Sequence, residues 1–303
     1  MHVIAHGGAG GPIDDPEARR DALEAAVETG EAAATPLDAA VATVGELESS
    51  PRFNAGVGGS VQSDGIVRTD AGLMTDDRRV GAACAMPGVE DACEVARVVL
   101  EETPHVLLSG IHAVDLAAAY GIDVDRDLLT EHTRDRWAGE DPPASDDLRA
   151  QLSWLRGTFG REEDPAADPG SAASDPNDYD TVGAVAADGA TIAACTSTGG
   201  RWRALAGRVG DVPQVGSGFF CTPAGGASAT GAGEDIVRVT LARRAVDHLE
   251  LGRDPETAAE LAVEEFEEIT GSEAGVIVMD AEGEAGSAFN SAAMQTATAG
   301  DRD

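Results

Sequence analysis

Thr181 heads the run Asp180–Thr181–Val182–Gly183–Ala184–Val185 and is the side chain best placed for covalent chemistry. Before it lies a polar stretch, 161–180 (REEDPAADPGSAASDPNDYD), too poor in apolar residues to pack. After it come two apolar runs, 182–187 and 191–195, parted by Asp188–Gly189 and followed by Thr196–Ser197–Thr198–Gly199–Gly200. The simplest reading of Thr181 is the first residue of a strand. If the peptide bond before it is cut, a free α-amine sits beside its hydroxyl. That pair is the threonine/N-terminal-amine solution to activating a weak oxygen nucleophile. The amine, with an ordinary pKa of about 7.7–8.0, is a far better base at neutral pH than a lysine at about 10.4.

Other chemistry-bearing residues stand in glycine-rich loops. Arg208 and Asp211 lie in GRVGDVP (207–213), and Thr230–Gly231–Ala232–Gly233–Glu234 leads into a helix. Singly, these read as a surface ion pair and a helix entry. His6 sits between a short apolar strand and Gly7–Gly8–Ala9–Gly10–Gly11; a structural hydrogen-bonder is the plainer reading of it than a catalytic base. The glycines let the backbone approach a ligand, but a phosphate loop needs a lysine and the chain has none.

Elements to position these residues follow from pattern and caps. One helix is expected from Asp15–Pro16 to about Ala33, and a second from Thr35 (cap) and Pro36, with Leu37, Val41, Val44 and Leu47 on one face. A hairpin-like pair turns at Asp64–Gly65, and strands follow at 70–74 and 81–86. Asp91 caps a helix ending before Pro104, and 105–156 reads as helix and loop. Helices are expected over about 235–251 and 255–269, then a hairpin from 274–280 to 286–289. Strands clustered between helical blocks predict a layered α/β fold, with 157–180 the one linker-like stretch.

The formal charge is −34 over 303 residues, and all 21 basic residues are arginine. Such a surface repels nucleic acid and anionic membrane. Self-repulsion of this size destabilises a compact fold in dilute buffer, whereas at about 1 M salt the Debye length falls to roughly 3 Å. The composition therefore reads as adaptation to high salt, in a halophile's cytoplasm. Cys84, Cys93, Cys195 and Cys221 form no CxxC pair and read as reduced and buried. The N-terminus lacks a basic n-region, and no segment approaches the roughly 20 apolar residues of a membrane span.

Together the motifs resemble a known family. HGGAG (6–10), FNAGVG (53–58), DAGLM (70–74), TPHVLLSG (103–110), DTVGAVA (180–186), TSTGG (196–200), GRVGDVP (207–213), ATGAGE (229–234) and the closing strand to AFN (288–290) resemble, in that order, the plant-type asparaginase / isoaspartyl peptidase family of N-terminal-nucleophile hydrolases. The resemblance implies one domain, 1–303, a four-layer αββα sandwich. It would be made as a precursor that cuts itself between Asp180 and Thr181 into chains 1–180 and 181–303, which stay associated, with a dimer of such units. It also implies roles. Thr181 is the nucleophile, oriented by Thr198. Arg208 holds the substrate α-carboxylate in its planar fork, and Asp211 pairs with the α-ammonium. Thr230 and the Gly231 N–H form an oxyanion hole, worth about 3–4 kcal/mol per donor. Gly233 lets substrate close on the backbone, and Asn54 of FNAGVG belongs to the substrate site.

The implied reaction needs no metal or organic cofactor, and its partner is a small molecule, asparagine or a β-aspartyl peptide. Family members can hold sodium through backbone carbonyls in the loop matching 47–57, which leaves no sequence signature. Asp180 departs from the asparaginase branch, which has glycine there, and matches glycosylasparaginases instead. Cleavage of a sugar–asparagine bond is therefore the alternative activity, and a non-processing binding protein of the same fold the alternative class. Arg68–Thr69 before Asp70 and Thr75–Asp76 after Met74 also depart from the family pattern.

Overall fold

The computed structural model describes residues 1–13, 15–159 and 181–300. The chain opens with strand β1 (His2–Gly10). Asp15 then caps helix α1 (Pro16–Glu31) by accepting the Ala18 N–H at 3.4 Å, and Thr35 caps α2 (Pro36–Glu48) by accepting from Asp38 at 3.2 Å. Each helix has its proline at the first position, where no N–H is needed. Strands β2 (Arg68–Thr75) and β3 (Val80–Pro87) lead to α3 (Ala92–Glu102), β4 (Leu107–Ser109), α4 (Ile111–Ala119), α5 (Glu131–Ala138) and α6 (Leu148–Phe159). Beyond 181 come β5 (Val182–Ala187), β6 (Ile192–Thr198), β7 (Phe219–Thr222) and β8 (Gly225–Gly231). Helices α7 (Gly233–Val239), α8 (Leu241–Glu250) and α9 (Pro255–Thr270) precede the last strands, β9 (Ala274–Asp280), β10 (Ala285–Phe289) and β11 (Ala293–Ala299).

This is a mixed α/β protein with two sheets, ordered β11-β1-β5-β6-β2-β3-β4 and β10-β9-β8-β7. Helices α1, α2 and α3 pack on the larger sheet, β8 and β9 meet its strands β1 and β5, and α8 and α9 pack on the smaller sheet. Strand alternation sorts the side chains into two cores. Val3, Ala5, Val182, Ala184 and Ala186 join the helix-facing core with Leu23, Val44 and Leu47, while Ile4, Val185 and Ala187 join the one shared with the smaller sheet. Strand β5 is buried throughout, hence its unbroken apolar run.

The sequence misplaces several elements. Residues 7–10 are not a loop but the end of β1, whose register slips between His6 and Ala9. The hairpin-like pair turning at Asp64–Gly65 is present but minimal, one antiparallel bridge between Val61 and Val67 with the Gln62 N–H on the Ile66 carbonyl at 3.0 Å. Strand β4, parallel to β3, lies inside the stretch expected to be helix and loop, and β11 extends the fold past Asn290. Asp91 begins α3 without a side-chain cap; the Cys93 N–H is accepted by Glu48 Oε1 at 3.1 Å instead. The expected 235–251 helix breaks at Thr240, which turns left-handed (φ 57°). The break hands the Ala242 and Arg243 N–H groups to the carbonyls of Ser217 and Gly216. Most of the 157–180 linker, and Asp180 with it, lies outside the described residues.

Candidate active site

Alternation also decides what faces Thr181. On β6, Ser197 points to α2 and bonds Glu48, while Thr196 points to the smaller sheet and donates to the Gly218 carbonyl at 3.0 Å. Thr198 shares the parity of Thr196. Thr181 shares that of Gly183, whose Cβ position lies 1.9 Å from Ser228 Oγ of β8, so any larger residue there would collide. Both threonines therefore open between the sheets. The Thr181 hydroxyl donates to Thr198 Oγ1 at 3.4 Å. Thr198 also accepts the Gly200 N–H at 3.2 Å and donates to the Asn54 carbonyl at 3.5 Å, which fixes its rotamer.

Thr181, Thr198, Arg208, Asp211, Gly231 and Gly233 line one recess, with Gly200 and Arg201. Its volume is about 20 Å³, room for one water. Gly231 adopts φ 132°, and a Cβ there would lie 2.6 Å from the Glu273 carbonyl; both demand glycine. Thr230 is fully buried behind it, and its Oγ1 accepts the Ala9 N–H at 3.2 Å. Asn54 does not line the recess. Its carboxamide joins the Gly200 carbonyl (2.7 Å) to the Ser60 N–H (2.9 Å), tying the 53–60 loop to the end of β6.

Arg208 is held from three sides. Glu234 grips its Nε–Nη2 edge with two 2.9 Å contacts, and Cβ atoms at Gly210 or Gly233 would lie 2.8 Å from Nη1 or 2.9 Å from Nη2. Burial alone would lower the arginine's pKa, but Glu234 outweighs it and the pKa rises. Burial likewise favours the neutral form of Glu234, yet the Arg208 contacts hold its pKa below the ordinary value. Asp211 is buried, with Oδ2 unpaired among the described residues. Desolvation, opposed by Arg208, lifts its pKa to about 6. Asp70, of the same parity on β2 as Met74, is lifted to about 7 by burial, against the pull of the Ala85 N–H and Arg208. The recess thus sets a fixed cation, Arg208, beside one carboxylate, Asp211, a pattern suited to the two charges of a zwitterion.

His6 takes no part in it. Burial lowers its pKa to about 3, only partly offset by the Thr181 backbone, and the neutral ring contacts Ser228 Oγ at 2.8 Å, which in turn meets Thr196 at 2.7 Å. Glu234, Arg201 and Asp70 were missed by sequence reasoning, though Glu234 closes ATGAGE and Asp70 opens DAGLM. Among the described residues no cluster of three or more His, Cys, Asp or Glu stands ready for a metal. In the 47–57 loop the carbonyls of Leu47, Glu48, Ser50 and Arg52 each accept a protein N–H, and a second lone pair on each is compatible with a backbone-held sodium, whereas the Asn54 carbonyl takes both the Gly199 N–H and the Thr198 hydroxyl.

Comparison with known proteins gives the same grouping. A family model described as asparaginase matches residues 1–303. The plant-type L-asparaginase of Pyrobaculum calidifontis is 39% identical over 302 residues, covering 96% of this chain and 94% of its own. That of Thermococcus kodakarensis is 35% identical (97% and 95% covered), and the isoaspartyl peptidase/L-asparaginase of Danio rerio 34% identical (98% and 91%).

Proposed function

This chain belongs to the asparaginase family, and we propose from its site that it is a threonine amidohydrolase cleaving the β-amide of L-asparagine and of β-aspartyl dipeptides to release L-aspartate. One observation carries the reading. The Thr181–Thr198 hydroxyl pair opens onto the same recess as Arg208 and Asp211. The stacking of helices, two sheets and helices supports a four-layer αββα sandwich of the N-terminal-nucleophile type.

The mechanism begins with cleavage between Asp180 and Thr181, which frees the Thr181 α-amine. Arg208 then takes the substrate α-carboxylate and Asp211 its α-ammonium, so that the β-carbonyl carbon faces Thr181 Oγ1. As that oxygen attacks, the α-amine accepts its proton. The oxyanion that forms meets the Thr230 hydroxyl and the Gly231 N–H. Collapse expels ammonia or an amino acid, protonated by the α-ammonium, and leaves a β-aspartyl ester on Thr181. Water, activated by the same amine, releases aspartate and restores the hydroxyl. Gly233 keeps the wall thin beside Asp211, and Asn54 holds Thr198's loop in place.

The two halves then remain packed, because β1 of the first lies hydrogen-bonded between β5 and β11 of the second. By resemblance two such units pair. The acidic, lysine-free composition we read as fitted to a high-salt cytoplasm.

Intact-mass analysis and a substrate assay test the reading together. The parent should yield two fragments, the second beginning at Thr181, and should release ammonia from asparagine and amino acid from a β-aspartyl dipeptide. Thr181→Ala should remain one inactive chain. Fragments beginning at residue 181 in that variant would overturn self-cleavage, and full activity in it would overturn the nucleophile.

A further inference from the structure

Between β6 and β7 the chain forms neither helix nor strand, yet this connection carries Gly200, Arg201, Arg208 and Asp211, half of the residues that line the recess. A segment with no ladder of its own needs its backbone groups satisfied from elsewhere. Residues 61–63 do this. The Arg203 N–H donates to the Val61 carbonyl and the Ser63 N–H to that of Ala204, each at 2.8 Å, and Ser63 Oγ accepts the Ala206 N–H at 3.0 Å. Gln62 takes two more groups with one carboxamide. Its Oε1 accepts the Gly207 N–H at 2.8 Å, and its Nε2 donates to the Arg208 carbonyl at 3.2 Å.

Gln62 is 1% exposed, so water offers it no substitute for these partners. Its oxygen has a second donor, Arg68 Nη1 at 2.9 Å, and two donors on one atom fix which end of the amide is the acceptor. Asp64 holds Arg68 in turn, taking Nη1 at 3.0 Å and Nη2 at 2.8 Å. The sequence of contacts from Asp64 through Arg68 and Gln62 thus ends on the main chain of Arg208. A Cβ on Gly200 would lie 3.9 Å from Gln62 Nε2, which places the carboxamide directly behind the recess wall. Glu234 grips the tip of Arg208, and Gln62 grips its root. A shift of that root moves the fork relative to Thr181, and small misplacements of this kind govern how substrate meets a nucleophile. Resting on the amidohydrolase reading, we propose that Gln62 is a positioning residue for the substrate α-carboxylate, acting through Arg208 and held in place by the Asp64–Arg68 pair.

Gln62→Met keeps the length of the side chain and removes all three of its contacts. The variant should still cut itself, read by intact mass, because the precursor's Asp180 presents no free α-carboxylate to Arg208. At one fixed salt concentration its KM for asparagine should rise about fivefold, the scale of a lost buried hydrogen bond, with kcat changed less than about twofold. A substrate that lacks the α-carboxylate, 3-aminopropionamide, should change less than about twofold. Arg68 is 17% exposed, so Arg68→Met is the milder second variant. It frees the Gln62 oxygen from one donor and should raise the same KM about threefold, again sparing 3-aminopropionamide. Should Gln62→Met fail to fold, Arg68→Met decides alone. An unchanged KM for asparagine, or an equal change with 3-aminopropionamide, would overturn the assignment. A parent that releases no ammonia from asparagine would overturn the amidohydrolase reading, and the inference with it.

Discussion

Glu234 should act through Arg208, and the structure says how. A guanidinium has two donor edges that can each grip a carboxylate. Glu234 occupies the Nε–Nη2 edge at 2.9 Å on both contacts, which leaves the Nη1–Nη2 end for the substrate. On this geometry Glu234 positions the fork and does not compete for it. Glu234→Gln keeps the shape but removes the charge and one acceptor. Arg208 is 17% exposed and Glu234 47%, so solvent screens the pair. Its loss should cost about 1 kcal/mol in alignment and not the 3–5 of a fully buried pair. That raises KM for asparagine about fivefold, with kcat changed less than about twofold. The control is 3-aminopropionamide, which is asparagine without the α-carboxylate. Its kinetics should not respond to the substitution, because it gives Arg208 nothing to hold. The pH dependence has a definite sign: Glu234 has a lowered pKa, so its help is present above its ordinary value of 4.5 and fades as the pH falls through the depressed one. Parent and variant should therefore converge only in acid. A KM that falls in Glu234→Gln would mean the carboxylate blocks the fork. An equal effect on 3-aminopropionamide would mean a general structural loss.

Three further outcomes follow, two from buried carboxylates and one from the net charge. Asp211, with its pKa lifted to about 6, must be ionised to hold the substrate ammonium, so kcat/KM should fall as the pH drops through that value. Asp211→Asn should lower the plateau and abolish that limb, and a limb that persists assigns it to another group. Glu48 is fully buried between Cys93 and Ser197, and desolvation lifts its pKa from 4.5 to about 8 despite those donors. A raised carboxyl costs stability as the pH climbs from 4.5 to 8, up to about 5 kcal/mol, and nothing more beyond. Denaturant melts across that window should slope downward in the parent and flatten in Glu48→Gln; parallel slopes would refute it. Melting temperature should also climb from about 0.1 M to 3 M KCl as the Debye length shrinks from about 10 Å, and a flat profile would sink the reading of high-salt adaptation.

Which residues were legible in the sequence has a physical pattern. Helix starts at Asp15–Pro16, Thr35–Pro36 and Asp254–Pro255 were readable because a cap and its N–H lie within three residues of each other. Thr181, Arg208 and Asp211 stood out because reactive types in glycine-rich loops have little structural work to do. The features that escaped depend on partners far along the chain. Glu48 caps α3 from 45 positions away and bonds Ser197 from 149. Asp70 comes within electrostatic reach of Arg208 only because β2 pairs with β6, where it lies opposite Thr198. The break at Thr240 has no glycine or proline to announce it, since the demand comes from the Gly216 and Ser217 carbonyls. Asn54 is the most instructive residue. Its motif marks it as belonging to the substrate site, yet its carboxamide is spent on Gly200 and Ser60. A polar side chain near a nucleophile can thus serve the reaction by holding a backbone still, and sequence alone does not separate that duty from contact with the substrate. The separation needs geometry, and here it places Asn54 outside the recess, behind Thr198, whose hydroxyl its carbonyl accepts.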